Sequence, residues 1–136
     1  MLVVDTNIIS YLYFPTEYTQ YSEVLLELDL DWAAPILWKS EFRNILAIYL
    51  RKEIIDLAVA IDIQAQAESL LAGNEFEINS DQVLALTQAS HCSAYDCEFI
   101  SLAQTFNTQL ITTDKKLIKA FPENAITAKV YIEENR

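Results

Sequence analysis

The 136-residue chain holds one glycine, one histidine, two cysteines and three prolines. A dinucleotide-binding fingerprint takes three glycines and a phosphate-cradling P-loop takes two. The lone Gly73 therefore excludes both, and it argues against a glycine-punctuated β-barrel. Cys92 and Cys97 lie five apart, which is neither a CxxC motif nor a zinc spacing. On a helix they would point about 140° apart. With His91 alone beside them no structural zinc set can be assembled, and the two read as reduced thiols of a cytoplasmic protein.

Basic residues are scarce as well, with 9 Lys+Arg against 20 Asp+Glu and a net charge of −11. That balance excludes passive binding of nucleic acid by counterion release and attraction to anionic membranes. It leaves room for a basic partner or a metal cation. No apolar run approaches the ~18 residues of a membrane span. Met1-Leu2-Val3-Val4-Asp5 has no basic start and no long apolar core, so no secretory signal is expected. What is abundant is apolar side chain, 52% of residues. That excludes intrinsic disorder, and the length fits one domain over residues 1–136.

Leu2-Val3-Val4, Trp32-Ala33-Ala34, Phe76-Glu77-Ile78 and Leu110-Ile111 are short apolar runs expected to be buried strands, and one or two β segments are expected within Ala125–Ile132. Helices are expected over residues 8–13, 17–29, 37–49, 53–71, 81–90, 94–106 and 114–121. Pro15 breaks between the first two, Asn79-Ser80 and Ser93 supply caps, and Gly73-Asn74 ends the fourth. Apolar strands alternating with helices predict an α/β three-layer α/β/α sandwich on a mostly parallel sheet.

Four acids stand apart from the solvated remainder. Asp5 and Asp114 each end a strand and precede a helix, where open parallel sheets place their ligand crevice. Capping of that helix is the competing role. Glu41 sits beside the apolar stripe of Phe42, Ile45 and Leu46, with Lys39 and Arg43 as possible ion-pair partners. Asp96 occupies the third position of a helix begun at Ser93, beside the stripe of Phe99, Ile100 and Ala103. A carboxylate there is costly without compensation. Two carboxylates ~5 Å apart repel by roughly 3 kcal/mol at an effective dielectric near 20. Four in one cleft reach on the order of 10–20 kcal/mol, so such a cluster must take up protons or bind cations. Oxygen donors without His or Cys select Mg²⁺ or Mn²⁺. Lys39, Arg43, Lys115, Lys116 and Lys119 cluster near Glu41 and Asp114, as either a phosphate-directed rim or local ion pairing would place them.

Taken together, Val3-Val4-Asp5-Thr6-Asn7, the run Ala34 to Leu46 containing Glu41, Ser93-Ala94-Tyr95-Asp96-Cys97-Glu98-Phe99, and Leu110-Ile111-Thr112-Thr113-Asp114-Lys115-Lys116-Leu117 resemble the PIN-domain ribonucleases, especially VapC-like toxins of toxin–antitoxin pairs. The resemblance implies a PIN-like fold and a Mg²⁺- or Mn²⁺-dependent endoribonuclease in which Asp5, Glu41, Asp96 and Asp114 are the metal-site and catalytic acids. It gives Thr6, Asn7 and Thr112 supporting or substrate-contacting places. It further implies an RNA substrate, a small antitoxin whose basic tail enters the acidic cleft, and a homodimer. Tyr11, Tyr13, Phe14, Tyr18 and Tyr21 offer the antitoxin an aromatic groove, with core packing accounting for part of them. Glu98 falls about 160° round the helix from Asp96 and is left out of the site, and His91 is expected to be structural.

Two other readings stand beside this one. The first is a Mg²⁺-binding phosphoacceptor module, which needs an acceptor Asp on a middle strand and a later strand-end Lys; neither is legible in the sequence. The second is a catalytically silent scaffold of the same fold.

Overall fold

A computed structural model describes residues 1–136. The elements run β1 (Leu2–Val4), α1 (Thr6–Ser10), α2 (Thr19–Leu28), β2 (Trp32–Pro35), α3 (Leu37–Arg51), α4 (Leu57–Leu70), β3 (Glu75–Phe76), α5 (Ser80–Gln88), α6 (Ala94–Thr105), β4 (Leu110–Ile111), α7 (Lys115–Ala120), β5 (Ala125–Ile126) and α8 (Ala128–Asn135).

The five strands form one sheet in the order β3-β2-β1-β4-β5. Every pairing is parallel, with Leu2 opposite Trp32, Val3 opposite Leu110, Ala34 opposite Glu75 and Leu110 opposite Ala125. β1, β2 and β4 are buried along their whole length. A parallel strand covered on both faces reads as such a continuous apolar run.

The chain travels one way across the sheet from β1 to β3 and then jumps back to β4. Right-handed crossovers therefore put α1 to α4 on one face and α5 to α7 on the other. On the second face α6 packs across β1, β2 and β4, with α5 behind it. On the first, α3 packs against β2, α1 and α4. Trp32, Trp38, Phe42, Ile8, Ile9 and Ile100 are sealed in the resulting three-layer core. The reversal leaves a crevice between the carboxyl ends of β1 and β4, the switch point at which doubly wound sheets bind ligands.

The capping signals operate as expected. Asn79 accepts from the Gln82 N–H at 3.1 Å and Ser93 from the Asp96 N–H at 3.1 Å. The β expectation for residues 125–132 is corrected beyond Ile126. Thr127 caps α8 by accepting from the Val130 N–H at 3.2 Å, and Ala128 and Ile132, four apart, are the buried residues of that helix. The β-branched and aromatic run Val130-Tyr131-Ile132 favours a strand locally. Its packing against α2 decides for a helix.

Candidate active site

Asp5 ends the middle strand. It precedes α1 but makes no side-chain cap to it. Its Oδ2 instead accepts the Thr112 hydroxyl at 2.8 Å, across the switch point from the end of β4. Thr112 is fully buried and also receives the Asp114 N–H at 3.0 Å, so one hydroxyl ties the two strand ends together. Asp114 does cap its helix: Oδ1 accepts the Lys116 and Leu117 N–H groups at 2.9 and 3.3 Å. Both bonds fall on one oxygen, and the other stays available.

Glu41 reaches the same place from α3. Its Oε1 accepts the Thr6 hydroxyl at 2.7 Å. It pairs with neither flanking cation. Lys39 turns away to Glu75 at 3.1 Å and Glu68 at 3.8 Å. That contact takes Lys39 out of the expected phosphate rim. Residues two apart on a helix point to nearly opposite sides, so Lys39 and Glu41 serve different flanks of α3. Asp96, from the first turn of α6, completes the set.

Asp5, Glu41, Asp96 and Asp114 all line one cavity of about 490 Å³, together with Thr6 and Asn7. No Lys, Arg or His lines it. None of the four acids forms an ion pair. The electrostatics carry the signature of that crowding. Burial pushes the Asp5 carboxyl above its ordinary value, the bonds from Thr112 and the Thr6 amide partly offset this, and the charges of Asp96 and Asp114 add to it. Burial also raises Glu41, opposed by the Thr6 hydroxyl and reinforced by Asp5, Asp96 and Glu98. Asp96 is raised by burial and then by Asp114, against smaller lowering effects of Ser93 and Lys116.

The donor set is all oxygen, anionic and without a neutralising side chain, which suits a hard divalent cation. No group of three His, Cys, Asp or Glu side chains stands close enough to hold one ion as it is. The four carboxylates share a cavity without forming a closed cage. The residues fit a divalent ion in donor chemistry.

Several cavity residues carried no separate signal in the sequence. Leu37, Ser40, Asn44 and Ile45 share the flank of α3 that bears Glu41 and line the opening with it. The three- or four-residue spacing of Leu37, Asn44 and Ile45 from Glu41 is the available clue. Tyr95, 63% exposed, stands at the rim beside Asp96. Glu98 lines a separate shallow cavity against α5, as its position round the helix required. His91 is exposed and lines neither.

The aromatic cluster near the N-terminus divides in two. Phe14 stacks on Tyr49 with centroids 4.1 Å apart, and Tyr13 meets Phe42 edge-on at 6.1 Å. Tyr11 and Tyr18 form a tilted pair at 5.2 Å and, with Tyr21, line a different, surface cavity, so three of the five rings share a groove and the other two do not line it.

The PIN domain family model matches residues 2–122. The chain belongs to the PIN domain family. Its curated relatives include Ribonuclease VapC3 of Pyrobaculum aerophilum, 27% identical over 134 residues that cover 89% of this chain and 95% of the relative. Among solved structures, a second protein of Pyrobaculum aerophilum superposes with a TM-score of 0.74 at 19% identity, covering 98% of this chain and 94% of that one. A toxin–antitoxin complex from Klebsiella pneumoniae gives 0.71 at 19% identity, covering 94% and 98%. Those likenesses establish the PIN fold, and the four acids are this chain's own arrangement on it.

The strand order also bears on the phosphoacceptor reading. Asp5 does stand at the end of the middle strand, contrary to the expectation that no such acceptor exists. The order β3-β2-β1-β4-β5 nevertheless differs from the 2-1-3-4-5 arrangement of flavodoxin-like folds.

Proposed function

We propose that this PIN domain is a Mg²⁺- or Mn²⁺-dependent endoribonuclease, the toxin of a toxin–antitoxin pair. One observation carries the reading. Four carboxylates from four separate segments line one cavity at the switch point of a parallel sheet, and no Lys, Arg or His side chain lines it with them. The printed names of the VapC3 relative and of the toxin–antitoxin structure support the same activity and partnership.

Asp5, Glu41 and Asp96 are the residues that hold the ion. Bound there, it supplies an acidified water and neutralises charge developing on the phosphate. The chain's own contribution is positioning. Thr112 fixes Asp5 by one oxygen, Thr6 fixes Glu41 by one oxygen, and in each case the second oxygen is left to ligate. Asp114, anchored to α7 through Oδ1, would use its remaining oxygen to position the attacking water or to complete a second metal site. Asn7, exposed at the cavity edge, is placed to donate to a phosphate oxygen. The antitoxin reading comes from the family resemblance, and a net charge of −11 with an acidic cavity suits a basic tail. A homodimer accompanies it, as the family resemblance implies.

The test is to incubate total RNA with wild-type protein and with Asp5→Ala, each with and without Mn²⁺, and to sequence the new ends. New ends are expected from wild type with Mn²⁺ alone. Ends that appear equally with Asp5→Ala, or persist in EDTA, overturn the reading. Isothermal titration with the product of the neighbouring gene tests the antitoxin, and an absence of binding heat counts against it. A silent scaffold is distinguished by a failure of Mn²⁺ to bind at all.

A further inference from the structure

A second cavity, of about 360 Å³, opens at the same carboxyl end of the sheet, over β4 and β5. It is separated from the acid cavity by a single residue of backbone. Asp114 lines one, while its neighbours Thr113 and Lys115 line the other. Its volume falls within the roughly 300–1,000 Å³ of small-ligand sites. Its chemistry is the reverse of the first. Lys115 and Lys129 face it, neither is engaged in an ion pair, and Glu17 is its one carboxylate. Its aromatic wall is Tyr11, Tyr18 and Tyr21, the first two forming the tilted pair, and Tyr18 is 39% exposed. The Tyr11 hydroxyl lies 3.3 Å from Thr113 Oγ1, which fixes the ring to the end of β4 beside Asp114.

We propose that this cavity is a subsite for a nucleotide of single-stranded RNA next to the one held at the acids, with its phosphate on Lys115 and Lys129 and its base against Tyr11 and Tyr18. The proposal rests on the ribonuclease reading and extends it. A chain of net charge −11 repels a polyanion almost everywhere, so substrate must be held where cations are locally unpaired. Lys115, next in the chain to Asp114, and Lys129, on α8 at the same cavity, meet that need. A base can lie on a tyrosine ring only when it is unstacked from its neighbours, which selects single strands over duplex. Stacking tolerates every base, so the subsite positions substrate without reading its sequence.

The probe is a fluorescein-labelled oligouridylate of about ten nucleotides, within the site sizes of single-strand binders, bound at equilibrium in EDTA so that no hydrolysis intervenes. The paired change Lys115→Gln and Lys129→Gln is expected to weaken binding at least ~10-fold. It should lower the slope of log affinity against log salt by about 0.7, the value for one phosphate contact on a single strand. Tyr18→Ala is expected to weaken binding roughly 5- to 150-fold, the range for one stacked base, and Tyr18→Phe to preserve it. Glu17→Gln is expected to tighten binding, a gain that damaged folding cannot mimic. A duplex of equal length should be indifferent to Tyr18→Ala. Unchanged affinity and salt slope in the lysine and Tyr18→Ala variants, with unaltered circular dichroism, overturn the subsite, as does an absence of strand binding by wild type. Cleavage of RNA by wild type with Mn²⁺ is scored separately. Its failure sinks the ribonuclease reading and leaves the binding result to stand or fall by itself.

Discussion

Acids meet two different fates on the two flanks of helix α3. On one flank Lys39 lies between Glu75 and Glu68, and each carboxylate there has a cation within 4 Å. On the other flank Glu41 shares a cavity with Asp5, Asp96 and Asp114 and has only a hydroxyl for company. Charge balance at the first flank makes it a surface brace, and such pairs contribute ~0–1 kcal/mol. Charge imbalance at the second costs stability and is retained only where something else draws on it. The difference shows that the number of carboxylates in a region says little, whereas the absence of partners says a great deal.

The largest separation between the flanks is expected in catalysis. Asp96→Asn should lower Mn²⁺-dependent RNA cleavage by about 10³-fold or more, the scale of several kcal/mol of transition-state stabilisation. Glu75→Gln should leave it unchanged, as followed by the rate of cleavage of a labelled RNA. Equal losses in the two variants would erase the distinction.

Metal is expected to separate them next. Saturating Mn²⁺ should raise the wild-type melting temperature by about 5–10 °C, from ~2.7 kcal/mol of linkage at a hundredfold excess over the dissociation constant. Differential scanning fluorimetry should show that Asp5→Asn abolishes the rise and that Glu68→Gln keeps it.

Acidity provides a finer test. Asp5, Glu41 and Asp96 all hold protons more firmly than ordinary carboxylates. Between the ordinary range and their raised values the folded state therefore binds more protons than the unfolded state. Stability then falls as pH rises through that window. Metal-free protein in EDTA should melt higher at roughly pH 5 than at roughly pH 8, and Asp5→Asn should flatten the dependence and raise the melting temperature at the upper end. A slope of the opposite sign rules out the crowded-cavity account. The smallest effect belongs to the brace, where Glu75→Gln should cost at most about 1 kcal/mol in urea unfolding.

How legible these regions were depends on the kind of signal each carries. Leu110-Ile111 stands in the sheet as expected, since two apolar residues beside turn chemistry have few other uses. The strand expected at residues 76–78 forms at Glu75–Phe76, because pairing with Ala34 and Pro35 sets its register. Asp56 starts α4 at Leu57, four residues after the expected position, by accepting the Val59 N–H at 2.9 Å. Residues 128–135 were misread because local preference and tertiary packing disagree there. Lys39 takes the ion-pairing alternative and not the rim, with partners on α4 and β3 that its place in the sequence does not name. The convergence of Asp5, Glu41, Asp96 and Asp114 was anticipated from their places at strand ends and stripe edges, and from a family resemblance, without a distance between any two.

By itself the sequence determined the alternation of strand and helix, the burial of the sheet and which four acids lack an ordinary explanation. Those properties follow from local chemistry: apolar runs, caps and the scarcity of glycine act over a few residues. Only the tertiary structure decided that the chain reverses direction at β1 and β4, that Thr112 links Asp5 to the Asp114 backbone, and that lysines and tyrosines form a second cavity beside the first. These are relations between segments up to 107 residues apart. They are set by crossover handedness and core packing, for which no short stretch of chain carries a record.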